Sequence, residues 1–191
     1  MRNALDRWRA TFGDIAPAGF VCRNAHPERW LRVHSLPESK RYPETNTERR
    51  EILERHAAVA RHVLGDGTQC TLFISRWGPA RVWAADDLPW LGVLPAHLAS
   101  FLSPEDDGFV NEPDWEWLQV FGIDITWKAH GHDRLVLACA NDATGPLLVA
   151  NLFRGTAYAP YDGGADLFFP DSMAVDVARD AFGDWVPAGG L

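Results

Sequence analysis

The segment HSLPESKRYPET, His34 to Thr45, concentrates chemistry in twelve residues: two prolines, two carboxylates, the Lys40–Arg41 pair and Tyr42. Pro37 and Pro43 stiffen it, so Glu38, Lys40, Arg41 and Tyr42 project from a constrained loop ahead of a helix start. Lysine and arginine beside the free N–H groups of that start can hold an anion. The later stretch YAPYDGGADLFFP, residues 158–170, carries Asp162 and Asp166 around a glycine turn. Glycine readily takes the positive φ that such a turn requires. If the two segments meet, two outcomes are open. One is a pocket in which Lys40 and Arg41 hold an anionic group while a carboxylate does acid–base work. The other is a brace in which Glu38, Asp162 and Asp166 pair with the basic residues and fix the crossing of strand and helix. Arginine outnumbers lysine sixteen to two, which singles out Lys40, since an ammonium titrates and moves as guanidinium does not.

Other candidate chemistry is thinner. His130-Gly131-His132-Asp133 has alternating histidines, but its glycine and its place between two strand-like runs suit a hairpin tip better than a metal centre. No HExxH, GxSxG, P-loop or GxGxxG pattern occurs. Ser35, Ser39 and Ser75 are nucleophiles by type only, with no base paired to them in sequence. Cys22, Cys70 and Cys139 have no metal-ligand spacing and read as buried, inert residues. The expectation is therefore no metal, no cofactor and no legible catalytic residue.

Residues 78–117 form the second region of interest. They hold eight acids against one base, five prolines, and the aromatic residues Trp83, Trp90, Phe101, Trp115 and Trp117. The expectation is an irregular insertion. Trp83, Asp86, Asp87, Trp90, Asp106, Asp107, Trp115 and Trp117 would supply an acidic, aromatic surface for a basic protein partner. The net charge is −8, made of a mildly basic first third and an acidic remainder. That balance argues against nucleic acid, which needs a concentrated basic surface. No apolar run reaches a membrane span, and the N-terminus lacks the apolar stretch of a signal peptide, so a cytoplasmic protein is expected.

The elements that must position these residues follow from periodicity. Leu5, Trp8 and Phe12 predict a short N-terminal helix, followed by a loop containing Pro17, Gly19 and Pro27 and a short strand over RWLRVHSL. Thr45 and Glu48 have capping-box spacing, and an apolar stripe from Ile52 to Val63 predicts a long helix from about Glu44 to Leu64, ended by Gly65. Strands are predicted over QCTLFIS, WLQVFGIDITW, RLVLACA, LLVANLFRGTAYAPYD and DLFFP. A closing helix from Asp171 to about Trp185 would turn Met173, Val177, Ala181 and Phe182 inward. The fold expected is α+β: one domain over residues 1–191, mainly antiparallel sheet, with the helices covering one face.

RVHSLPESKRYPETNTE, a helix ending RHVLG, and the late YAPYDGGADLFFP together resemble a family of bacterial hypothetical proteins known only as a domain of unknown function. The resemblance covers residues 30–64 and 150–187. It implies a compact cytosolic bacterial protein and no particular activity. On the residues themselves, the first reading is a non-enzymatic binding module, with the immunity or antitoxin type as one form of it, and the alternative is an enzyme or small-ligand binder at the PESKRY and YDGGAD segments.

Overall fold

The computed structural model describes residues 3–78, 95–102 and 117–187. Seven strands build one antiparallel sheet: β1 (Trp30–His34), β2 (Thr68–Trp77), β3 (Ala96–Leu102), β4 (Trp117–Trp127), β5 (Leu147–Asn151), β6 (Thr156–Tyr161) and β7 (Gly164–Phe168). Their order is β1-β7-β6-β5-β2-β4-β3, so β1 and β3 are the edges. The helices are α1 (Ala4–Phe12), α2 (Gly19–Ala25), α3 (Asn46–Leu64), α4 (Asp133–Ala140) and α5 (Ser172–Ala181). The α+β fold read from the sequence is the fold observed.

Side chains of a strand alternate between faces, and here both faces are covered. Leu72, Ile74, Val149, Tyr158 and Leu167 pack on one side with Val59 and Val63 of α3 and Val175 and Ala178 of α5. Phe73, Leu148, Ala157 and Phe168 pack on the other with Leu5, Trp8 and Phe12 of α1 and Cys22 of α2. The helices thus form two layers around the sheet rather than the single layer expected. Burial on both faces is why β5 reads LLVAN, with all five residues buried, instead of alternating with polar residues.

Four further expectations are corrected. RLVLACA belongs to helix α4, not to a strand. Leu135, Val136, Cys139 and Ala140 fall on one helical face, and Val136 and Ala140 cluster with Leu36 and Ile52. A short apolar run fits either period, and packing against α3 decides it. His130 to Asp133 therefore leads from β4 into α4 and is not a hairpin tip. In α5 the inward face is Val175, Ala178 and part of Phe182, while Met173 and Val177 are 73 % and 57 % exposed. Within residues 78–117, Ala96–Leu102 is a strand paired with β4, with a shift of register between His97 and Ala99.

The long helix starts as its sequence requires. Glu48 N–H donates to Thr45 Oγ1 at 3.1 Å, and Glu48 Oε2 accepts from Thr45 N–H at 2.9 Å. Tight packing appears at the β6–β7 hairpin. A Cβ on Gly164 would stand 2.2 Å from the Val33 carbonyl and 2.8 Å from the Tyr161 hydroxyl. Gly164→Ala must part β1 from β7 and is expected to destabilise by about 2 kcal/mol or more. Gly183→Ala, where nothing lies within 4 Å, is expected to be neutral to about 0.5 kcal/mol. Urea unfolding of both variants checks the contrast.

Candidate functional site

The two motif segments meet, and they meet at the rim of a cleft. Tyr161 ends β6, Asp162 and Gly163 make the turn, and Gly164 begins β7; Gly163 has a φ of 115°. Ser35, just beyond β1, donates its backbone N–H to the Gly163 carbonyl at 2.9 Å, which ties the loop to the turn. Arg41 then reaches Asp162: Nη2 donates to Oδ1 at 3.1 Å, and Nε pairs with Oδ2. The Tyr42 hydroxyl donates to the same Oδ2 at 2.7 Å. The hydrogen bond to Asp162 is the largest cause of a raised Tyr42 pKa, and the Arg41 charge opposes it.

Lys40 does not join this clasp. Its ammonium bonds Glu48 at 2.7 Å and Glu44 at 3.0 Å, so it completes the start of α3. Lys40, followed by the backbone N–H groups of Glu44 and Thr45, lowers the Glu48 pKa to about 2. Glu38 is exposed and sits, like Ser39, at positive φ (55° and 58°). Ser39 Oγ lies 2.9 Å from His34 Nδ1.

Asp166 is held by residues that sequence reasoning missed. The β1–β7 register sets Arg32 directly opposite Asp166. The guanidinium grips the carboxylate with both edges, Nε to Oδ1 at 2.9 Å and Nη2 to Oδ2 at 3.1 Å. Arg32 is itself packed over the rings of Trp30 and Tyr161, at 5.3 and 5.1 Å. Arg23 of α2 stands farther off, its Nη1 3.9 Å from Asp166 Oδ2. Only the two-residue alternation of β1 and β7 hinted at this pairing, and it required knowing the register.

Between these groups opens a cleft of about 460 Å³ on the α2 side of the sheet. Arg23 and Phe20 of α2 form one wall, and Asp142 and Thr144 of the α4–β5 connection form another. Arg32, Tyr161 and Asp166 lie at its β6–β7 end, and Trp77 stacks on Phe20 with ring centroids 5.6 Å apart. Gly19 lets α2 come close, since a Cβ there would lie 2.9 Å from that of Ala159. Burial pushes Tyr161 up to about 12, helped by Asp166, so its hydroxyl stays neutral. Cys139, which borders the cleft, is likewise pushed up to about 12 by burial and is no nucleophile. All four carboxylate oxygens of Asp162 and Asp166 already accept from arginine or tyrosine. A second hollow, about 610 Å³, lies beside α1, but its charged residues Arg7 and Asp124 are paired with each other at 3.0 Å.

A buried relay runs behind the clasp. Ser35 Oγ lies 2.6 Å from His56 Nε2, and His56 Nδ1 lies 2.5 Å from the Tyr158 hydroxyl. A serine against a histidine suggests a nucleophile with its base, yet Ser35 and His56 are 1 % and 4 % exposed and no substrate reaches them. The trio satisfies polar groups between α3 and the sheet.

Of the acidic aromatic candidates, Trp83, Asp86, Asp87, Trp90, Asp106, Asp107 and Trp115 lie outside the described residues. Trp117 opens β4, 41 % exposed, across from Leu102, 65 % exposed. Among the described residues no group of three or more His, Cys, Asp or Glu is placed to hold a metal, and no helix is long and apolar enough to cross a membrane. The chain belongs to the family described as a domain of unknown function, DUF3885, whose model matches residues 19–188. No curated protein and no solved structure matches it.

Burial lowers the His56 pKa from 6.5 to about 4. Above pH 6.5 the imidazole is neutral in both folded and unfolded chains. Between pH 6.5 and about 4 the unfolded chain takes a proton that the folded one refuses, so stability falls with pH, by roughly 3 kcal/mol in all. His56→Gln removes this component. The stability gap between wild type and His56→Gln is expected to be widest near pH 8 and to shrink toward pH 4, as read from urea unfolding across that range. A constant gap contradicts it.

Proposed function

We propose that the chain is a binding domain for a small ligand bearing a carboxylate or phosphate, seated in the cleft between α2 and the β6–β7 end of the sheet. The observation that carries this reading is Arg23. Arg32 is fully engaged with Asp166, so one carboxylate stands against two guanidinium groups, and Arg23 keeps only a 3.9 Å contact with it. A half-buried guanidinium held beside a neutralised carboxylate leaves a net positive centre, and its planar fork suits carboxylate and phosphate. The volume falls within the range of small-molecule sites. Asp162 and Asp166 are both engaged by arginine, which supports binding as the reading.

Acetate, benzoate and inorganic phosphate, titrated by calorimetry and followed by thermal shift, test the reading. At least one is expected to bind, and Arg23→Gln is expected to weaken it about tenfold or more, the worth of a charge-assisted hydrogen bond. Absence of binding by all three, or an unchanged affinity in Arg23→Gln, would overturn it.

A second reading, favoured by the exposed Leu102–Trp117 pair, is a protein-binding surface continuing into the acidic segment, of the kind an immunity protein turns to a basic partner. It expects a stoichiometric partner whose affinity falls severalfold in Trp117→Ala and also with added salt. A partner indifferent to both would not be using this surface.

A further inference from the structure

Resting on the cleft reading above, we infer that the ligand is a zwitterion of the amino-acid class, with an ammonium group beside Asp142, a carboxylate on Arg23 and an apolar side chain against Phe20 and Trp77. The α4–β5 connection brings a charge opposite in sign to that of Arg23 into the same cleft. Asp142 is exposed, is held at a φ of 54°, and its carboxylate makes no hydrogen bond or ion pair among the described residues. Its charge reaches Arg41, whose own partner is Asp162. Asp142 is therefore unlike Asp162 and Asp166: it lines the same hollow with its acceptor oxygens uncommitted. Thr144, two residues on, adds a hydroxyl to that wall.

The two walls are chemically distinct. The α2 wall offers a guanidinium with an aromatic residue, and the α4–β5 wall offers a carboxylate with a hydroxyl. A plain anion uses only the first and leaves a negative charge facing it from the second. A plain amine meets two arginines. A molecule carrying both groups, as an amino acid does, offers one to each wall, and the Phe20–Trp77 stack gives an apolar surface for the rest of it. A cleft of about 460 Å³ holds an amino acid with a large side chain. No covalent step is involved.

Three probes that differ only in their charged groups separate the outcomes: phenylalanine, hydrocinnamate (without the amine) and phenethylamine (without the carboxylate). Calorimetry on the full chain is expected to rank phenylalanine above hydrocinnamate by about threefold to tenfold, the range of an ion pair with an exposed carboxylate, with phenethylamine weakest. Asp142→Asn, whose side chain tolerates the same backbone region, is expected to bring phenylalanine down to the level of hydrocinnamate without weakening hydrocinnamate. Hydrocinnamate binding as tightly as phenylalanine in the wild-type chain overturns the zwitterion and leaves the anion site standing. So does a preference for phenylalanine that survives intact in Asp142→Asn. Loss of the whole series, together with acetate, benzoate and phosphate, overturns the anion site itself. Phenethylamine binding best of the three overturns both.

Discussion

Asp166 is a carboxylate 4 % exposed in the middle of a sheet strand, and much of the architecture around it answers to that placement. Removing an ion from water costs several kcal/mol, which only close, well-aligned partners offset. Arg32 supplies them from the neighbouring strand, two hydrogen bonds deep, and its own guanidinium is packed over Trp30 and Tyr161. The pair exists only in one register of β1 against β7. A slip of one residue would send Asp166 to the opposite, apolar face among Leu167 and Val33 and bury a lone charge there. The ion pair thus fixes where the edge strand sits, and with it the Ser35 link to Gly163, the position of Arg41 and Tyr42 over Asp162, and the start of α3.

Such a pair is a poor way to gain stability alone. Apolar residues of similar volume at 32 and 166 would hold the two strands about as well. What the arginine and aspartate add is directional charge at the floor of a hollow. The glycines follow the same logic. Gly163 makes the turn, Gly164 lets β1 and β7 approach, and Gly19 lets α2 descend on Ala159 beside Asp166. Three glycines and one buried ion pair place a loosely held guanidinium, Arg23, over that floor.

The parts legible in sequence were those with local causes. Thr45 and Glu48 mark the start of α3 because a capping box is a three-residue device, and the Asp162–Gly163 turn is equally local. What escaped was decided between elements. RLVLACA is helical because α3 offers a groove for Val136 and Ala140, which no window of seven residues contains. α5 turns Val175 and Ala178 inward although Met173 and Val177 make an equally apolar stripe; the choice lies with the sheet it meets. At the site, Arg41 and Tyr42 meet Asp162, as one of the two sequence readings required. Lys40, singled out by its rarity, serves the helix start instead. Arg32, one arginine among sixteen, had no local mark at all.

Brace and site need not be alternatives. The Asp162 carboxylate is clasped from outside by Arg41 and Tyr42. The same clasp anchors the hairpin whose inner face carries Tyr161 and Asp166 into the hollow. Rigid surroundings of this sort favour recognition, because the walls lose little freedom when a ligand arrives. Around this cleft burial keeps the Tyr161 hydroxyl and the Cys139 thiol neutral. What remains able to respond is Arg23, through a loose contact it can exchange for a better one, and Asp142, through oxygens still open to a partner. Those two residues, on facing chemistries of one cleft, are where this fold has left its binding energy unspent.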